Sequence, residues 1–161
     1  MNVRIVVADE RQASFYDAVT PRSPMIERGS LHNERSGKRD IELETDRPGR
    51  RFGGTNGVGH GIGGIEGHHH GVTGEKSTVR HELTLFAKEV ARKIETDRAR
   101  NEFDRLVLVA GPKMLGLLRQ ALSGPTHSML AGEISKDILR QGPDVILKAV
   151  PIEAFESYRM Q

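Results

Sequence analysis

Leu106-Val107-Leu108-Val109-Ala110-Gly111-Pro112 reads as a buried strand that turns into a helix. Its five consecutive apolar residues show no alternation, so the strand has no wet face and must be covered on both sides. Gly111 and Pro112 then end it, with Pro112 where the first turn of a helix tolerates a missing N–H. The helix expected there carries Met114, Leu115, Leu117, Leu118, Ala121 and Leu122, and Gly124-Pro125 is expected to terminate it.

Upstream, Val79, Leu83, Phe86, Ala87, Val90, Ala91 and Ile94 recur at helical spacing and make one apolar stripe, which predicts the longest helix of the chain, beginning near Ser77. Ser77 or Thr78 can cap its start, and Glu89 and Lys93 stand in the favourable i,i+4 order. His81, Lys88 and Arg92 fall together on the opposite face. Such a face is most often merely solvated; its functional reading is a partner-binding stripe.

Downstream, Ser128 to Ile134 reads as a strand, and Pro143 opens a short helix through Val145, Ile146, Ala149 and Val150. Pro151 interrupts it before a last helical turn with Ile152, Phe155 and Tyr158. At the start of the chain, Val3, Ile5, Val6, Val7 and Ala8 form a buried strand closed by Asp9 and Glu10, and Gln12 to Val19 is compatible with a second strand hairpinned to it. Arg22 to Lys38 is polar and irregular, a connecting excursion with a short strand only around Met25 to Glu27. Asp40-Ile41-Glu42-Leu43-Glu44-Thr45 alternates with period two, as a strand near a sheet edge does. This order predicts an α/β fold, one domain over residues 1–161 with a mixed β-sheet flanked by helices.

Between the alternating strand and the long helix lies a flexible Gly/His-rich loop at 52–76, holding more than half of the chain's 18 glycines. Each glycine loses the most backbone freedom on ordering and brings no side chain to bury. A loop of this length is either functional or a linker. Just before it, Arg47, Arg50 and Arg51 crowd a Pro48-Gly49 bend, where they form either a solvated turn paired with Asp46 or an anion-binding group.

Composition excludes several classes. The 161 residues are 36% hydrophobic, 29% charged and only 4% aromatic, which describes a globular protein with an aliphatic core and argues against base stacking on an aromatic platform. No cysteine is present, so disulfides, thiolate catalysis and cysteine-ligated zinc are absent. The net charge of +2 is too small to mark a strongly basic nucleic-acid binder. No stretch approaches the roughly 20 apolar residues of a membrane span, and no leader is recognisable, so a cytoplasmic location is expected.

His60, His68, His69 and His70 of the loop, with His81 beyond it, could collect zinc or nickel through neutral imidazoles. The plainer reading is a polar loop with adventitious metal affinity and no cofactor. Asp9 with Asp40 or Glu42 would suit a magnesium-dependent nuclease, although aspartates at turns are common. Gly74-Glu75-Lys76-Ser77 departs from a phosphate-binding P-loop by its glutamate.

The opening strand with Asp9, Asp46-Arg47-Pro48-Gly49-Arg50, Phe86-Ala87-Lys88, the 106–112 segment, Leu115-Gly116-Leu117-Leu118-Arg119 and Glu133-Ile134-Ser135-Lys136-Asp137 follow one another over nearly the whole chain. Together they resemble the bacterial family of proteins required for attachment to host cells. That family looks like a relative of the central domain of archaeal and eukaryotic class I release factors, whose α/β fold is shared with certain ribosomal proteins and whose Gly-Gly-Gln loop precedes a long helix. The resemblance implies action on or near the ribosome or tRNA, with peptidyl-tRNA hydrolysis or ribosome rescue as the chemistry. Gly53-Gly54 and Gly63-Gly64 are then the candidate glycine pairs, followed by Thr55 and Ile65 rather than glutamine. Arg47, Arg50, Arg51, Lys76 and Arg80 become the candidate phosphate contacts. Two other functions suit these residues: a non-catalytic regulatory protein that docks a protein partner on His81, Lys88 and Arg92 and affects attachment indirectly, and a metal-dependent hydrolase using the His-rich loop.

Overall fold

The computed structural model describes residues 1–36 and 71–156. Strand β1 (Val3–Ala8) is buried at all six positions because it has a neighbour on each edge and cover on each face. Strand β2 (Gln12–Ala18) pairs with it antiparallel, Val3 opposite Ala18 and Ala8 opposite Ala13. Asp9 makes the hairpin. Its Oδ1 accepts from the N–H groups of Arg11 at 2.7 Å and Gln12 at 2.8 Å, so this oxygen closes the turn; Asp40 and Glu42 lie outside the described residues.

Strand β3 (Ile26–His32) lies outside β2, β4 (Arg105–Ala110) runs parallel to β1 on its other side, and β5 (Leu130–Ser135) runs parallel to β4. The mixed sheet is ordered β3-β2-β1-β4-β5. β3 is longer than the three residues expected. As an edge strand it is exposed or half-buried throughout, so no apolar alternation marks it in the sequence. At a bulge between Phe15 and Tyr16 its Gly29 takes a φ of 141°, a conformation side chains rarely adopt. The expected strand at Asp40 to Thr45 and Tyr158 lie outside the described residues.

Alternation along the buried strands sends side chains to two cores. Val6, Ala8, Phe15, Leu106, Leu108 and Ala110 meet helix α1 (Gly71–Ala99) through Phe86, Val90 and Ile94, and helix α2 (Pro112–Ala121) through Leu115 and Leu118. Val3, Ile5, Val7, Val107 and Val109 meet a 3-10 turn (Leu139–Gln141), helix α4 (Pro143–Ala149) and a final 3-10 turn (Ile152–Phe155) on the other face. The lack of alternation in β1 and β4 is the consequence of both faces being covered.

Helix α1 starts at Gly71 rather than near Ser77, so residues 71–76 of the expected loop are helical. Gly71 and Gly74 each lower helix propensity by about 1 kcal/mol, which hides this extension in the sequence. A helix already seated on its buried stripe lengthens without a second nucleation cost. The expected Glu89–Lys93 pair does not form. Lys93 instead reaches the buried Asp97 at 3.1 Å, and Glu89 reaches Arg35, just past β3, at 2.9 Å.

Gly124-Pro125 opens a helix instead of closing one. Helix α2 ends at Ala121, and Ser123 caps the single turn α3 (Gly124–His127), whose Pro125 suits the first turn. Ser123 and Thr126 both donate to the Glu95 carboxylate from this turn, tying α3 to α1, and Arg98 adds a third bond at 3.1 Å. Burial favours the protonated acid, but these hydrogen bonds outweigh it and bring the Glu95 pKa from 4.5 to about 2. A depressed carboxylate pKa contributes stability that is present above the unfolded value and lost as pH falls through the folded one. Urea unfolding should therefore weaken between about pH 4.5 and 2, and Glu95→Gln should flatten that part of the profile while costing about 1–2 kcal/mol at neutral pH. An unchanged acid limb in the variant would show that Glu95 is not the group responsible.

Candidate functional site

At about 1.5 Å per residue the 29 residues of α1 span about 43 Å, against about 20 Å for a six-residue strand. Its C-terminal end is held at the start of β1, where Asp97 binds the Arg4 guanidinium. Among the residues of α1 whose burial is described, 77–99, Leu83 is the first that is buried, and Val79, Glu82 and Leu83 line a cleft of about 140 Å³ with Glu10, Arg11, Asn33 and Ser36. These positions mark the level of the β1–β2 turn. Residues 71–78, about 12 Å of helix, therefore stand beyond the strand ends, and the Gly/His-rich stretch feeds directly into them.

Asn33 fastens this end of the sheet. Its backbone N–H donates to the Arg11 carbonyl at 2.7 Å and its Nδ2 to the Glu10 carbonyl at 3.0 Å, while Ser36 Oγ donates to the Asn33 carbonyl at 2.8 Å. Arg35 then reaches α1 through Glu89. The chain leaving β3 is thus bound, as far as Ser36, to both the hairpin turn and the helix. Neither Asn33 nor Ser36 stands out in the sequence, since both fall in the polar run that reads as a connection. An asparagine just past a strand end is the only signal there.

Among the described residues, the fully exposed charges on the outer face of α1 are of a single sign. His81, Lys88 and Arg92 are exposed and lie within about 40° of arc, separated along the axis by about 10 and 6 Å. Arg80, also exposed, widens the cationic edge. Among the described acids of the helix Glu95 falls in the same sector, about 20° from Lys88, but it is half-buried, as are Glu82 and Glu89, and Asp97 is buried. Glu89 and Asp97 serve ion pairs to Arg35, Arg4 and Lys93, and Glu95 is occupied by α3 and Arg98.

Of the residues singled out in the sequence, Arg80 is placed on this exposed face, and Lys76 falls in the projecting part of the helix. Arg47, Arg50, Arg51, Gly53, Gly54, Gly63, Gly64, His60, His68, His69 and His70 lie outside the described residues. Among the described residues no group of three or more His, Cys, Asp or Glu side chains could hold a metal ion, and no helix is long and apolar enough to cross a membrane.

The family described as "Protein required for attachment to host cells" matches residues 4–150. The chain belongs to it. This host-attachment family member is similar to an uncharacterized protein of Rickettsia prowazekii, 32% identical over 66 residues, covering 40% of this chain and 44% of that protein. A solved structure described as an archaeal protein superposes on 95% of this chain and 35% of its own, at 12% identity and a TM-score of 0.45. The chain therefore matches less than half the length of either protein.

Proposed function

We propose that this host-attachment family member is release-factor-like: it acts on the ribosome or on tRNA, with the segment before α1 as its working tip. The observation that carries this reading is the stalk. A long helix anchored along its C-terminal two-thirds extends past the sheet and is entered from a glycine-rich stretch. Such a stretch has few side chains, so its backbone can approach a crowded reacting centre.

The reaction class that suits the tip is hydrolysis of the ester between peptide and tRNA. Gly53-Gly54 and Gly63-Gly64 would admit the backbone, and with no glutamine between Gln12 and Gln120, backbone N–H groups would orient the water. Arg47, Arg50, Arg51, Lys76 and Arg80 would meet phosphates, and the chain would work in the cytoplasm. Dependence of host attachment on this protein would then run through the proteins whose synthesis it serves.

Sedimentation with purified ribosomes over a salt series tests the reading. Wild type is expected to co-sediment, and a variant with Gly53 to His70 replaced by a short plain linker is expected to lose most of that binding. Equal sedimentation of both forms would remove the tip from the account, and no sedimentation of either would remove the ribosome.

A further inference from the structure

We infer that the exposed face of α1 formed by His81, Lys88 and Arg92, flanked by Arg80, is a docking surface for the phosphate backbone of RNA. This rests on the proposed role in translation and says which surface, apart from the tip, makes the contact.

An ordinary solvated helix mixes signs, because Glu and Lys four residues apart support each other. Here Lys88 and Arg92 are a like-charged i,i+4 pair, an arrangement that costs a helix about 0.2–0.5 kcal/mol. Neutralising acids are close in sequence, since Glu89 follows Lys88 and Glu95 lies three residues past Arg92. Both are engaged elsewhere, Glu89 by Arg35 in a largely exposed pair and Glu95 by the α3 turn and Arg98, and the cations are left without an ion-pair partner among the described residues. A rigid row of cations at intervals of about 6 and 10 Å matches a repeating anion better than a single small one. The outer face carries one half-buried apolar side chain, Leu85, among the cations, and no fully exposed anchor of the kind that centres a protein interface: the large apolar residues exposed in the described structure are Met1, Val19, Ile26, Val145 and Ile152, none of them on α1. Charge complementarity therefore selects a polyanion, and in a translation setting that polyanion is RNA.

Each phosphate contact contributes about 0.9 to the slope of log affinity against log salt on a duplex, which makes it worth about tenfold in affinity near 0.1 M salt. Fluorescence anisotropy with a labelled RNA hairpin should show wild-type binding that falls steeply with salt. The double variant Lys88→Ala/Arg92→Ala should bind about a hundredfold more weakly at low salt, with the slope reduced by about 2. Lys88→Glu separates binding from folding, because the introduced carboxylate would stand four residues before Arg92 in the favourable order and leave thermal stability equal or slightly higher while binding drops. Variant affinity and slope equal to wild type would overturn the inference, as would a wild type that ignores the hairpin and captures a protein through this face instead. The hairpin assay contains no ribosome, so the two proposals fail separately. Hairpin binding without ribosome sedimentation would retire the translation role and leave the RNA surface, whereas tip-dependent sedimentation that is indifferent to Lys88 and Arg92 would do the reverse.

Discussion

Arg4→Met is expected to destabilise the protein by about 3–5 kcal/mol, the range for removing one partner of a buried ion pair. For a chain of this size that is a fall in Tm of roughly 10 °C. Arg4 is the second residue of β1 and has 0% exposure, an extreme position for a guanidinium. It is tolerated because its fork is filled: Nε donates to Asp17 Oδ1 at 2.5 Å, Nη1 to Asp97, and Nη2 to Glu102 at 3.4 Å, with the Phe103 ring 5.2 Å beneath. Arg28 reaches Asp17 at 2.7 Å and Lys93 reaches Asp97, so the group balances three cations against three anions across β1, β2, β3 and α1. Burial opposes the charge on Asp17, and its hydrogen bonds from Arg4 and Arg28 overcome that and hold its pKa below the ordinary value.

Methionine would fill the space but leave Asp17 and Asp97 desolvated with one cation fewer. The loss should therefore be largest at neutral pH. A depressed Asp17 pKa means that wild type forfeits its contribution as pH falls below the normal carboxylate range, so the gap between the two proteins should narrow in acid. Adding Asp97→Leu to Arg4→Met should recover part of the loss, because an apolar replacement of a whole buried pair is far less costly than half of one. Urea unfolding of the four-member cycle decides it. A loss below about 1 kcal/mol for Arg4→Met would place the network among surface ion pairs of little consequence.

Arg4 also shows where the sequence was readable and where it was not. A charge inside Val-Arg-Ile-Val-Val-Ala announces that a partner must exist, yet nothing local names Asp97, 93 residues away. Strands β1 and β4 were legible because burial on both faces leaves apolar runs without alternation, Ile5 to Ala8 in β1 and Leu106 to Ala110 in β4. The face of His81, Lys88 and Arg92 was legible because helical periodicity is regular over seven apolar positions. β3 was not, since an edge strand under water needs no apolar pattern. Gly124-Pro125 misled for a different reason: the same dipeptide can follow a helix or open one, and the deciding residue was the Ser123 cap. Glu89 and Lys93 had the right spacing for a pair, but Glu89 takes a tertiary partner, Arg35, and Lys93 takes the next i,i+4 acid of its own helix, Asp97.

Phe86→Ala is the other large loss expected, about 3–5 kcal/mol for an aromatic core side chain cut to a methyl. Phe86 has 0% exposure and sits on α1 where the helix crosses the sheet, in the cluster of Phe15, Val90, Leu106 and Leu108. Ile146→Ala, on the far face with Ile5 and Val107, should cost about 2–5 kcal/mol. The sheet separates the two sites and they share no cluster, so their losses should add within about 0.5 kcal/mol; a clear departure would mean that the two cores communicate through the strands. Phe86 also provides the counterpart of Lys88→Glu. It holds α1 from the inner side while the proposed RNA surface occupies the outer side, so at temperatures where the variant is folded its hairpin affinity should stay close to wild type. Lower Tm with unchanged binding in Phe86→Ala, beside unchanged Tm with lost binding in Lys88→Glu, would divide α1 into an anchoring face and a recognising one. Loss of both properties in either variant would make the helix a single structural element with no separable surface.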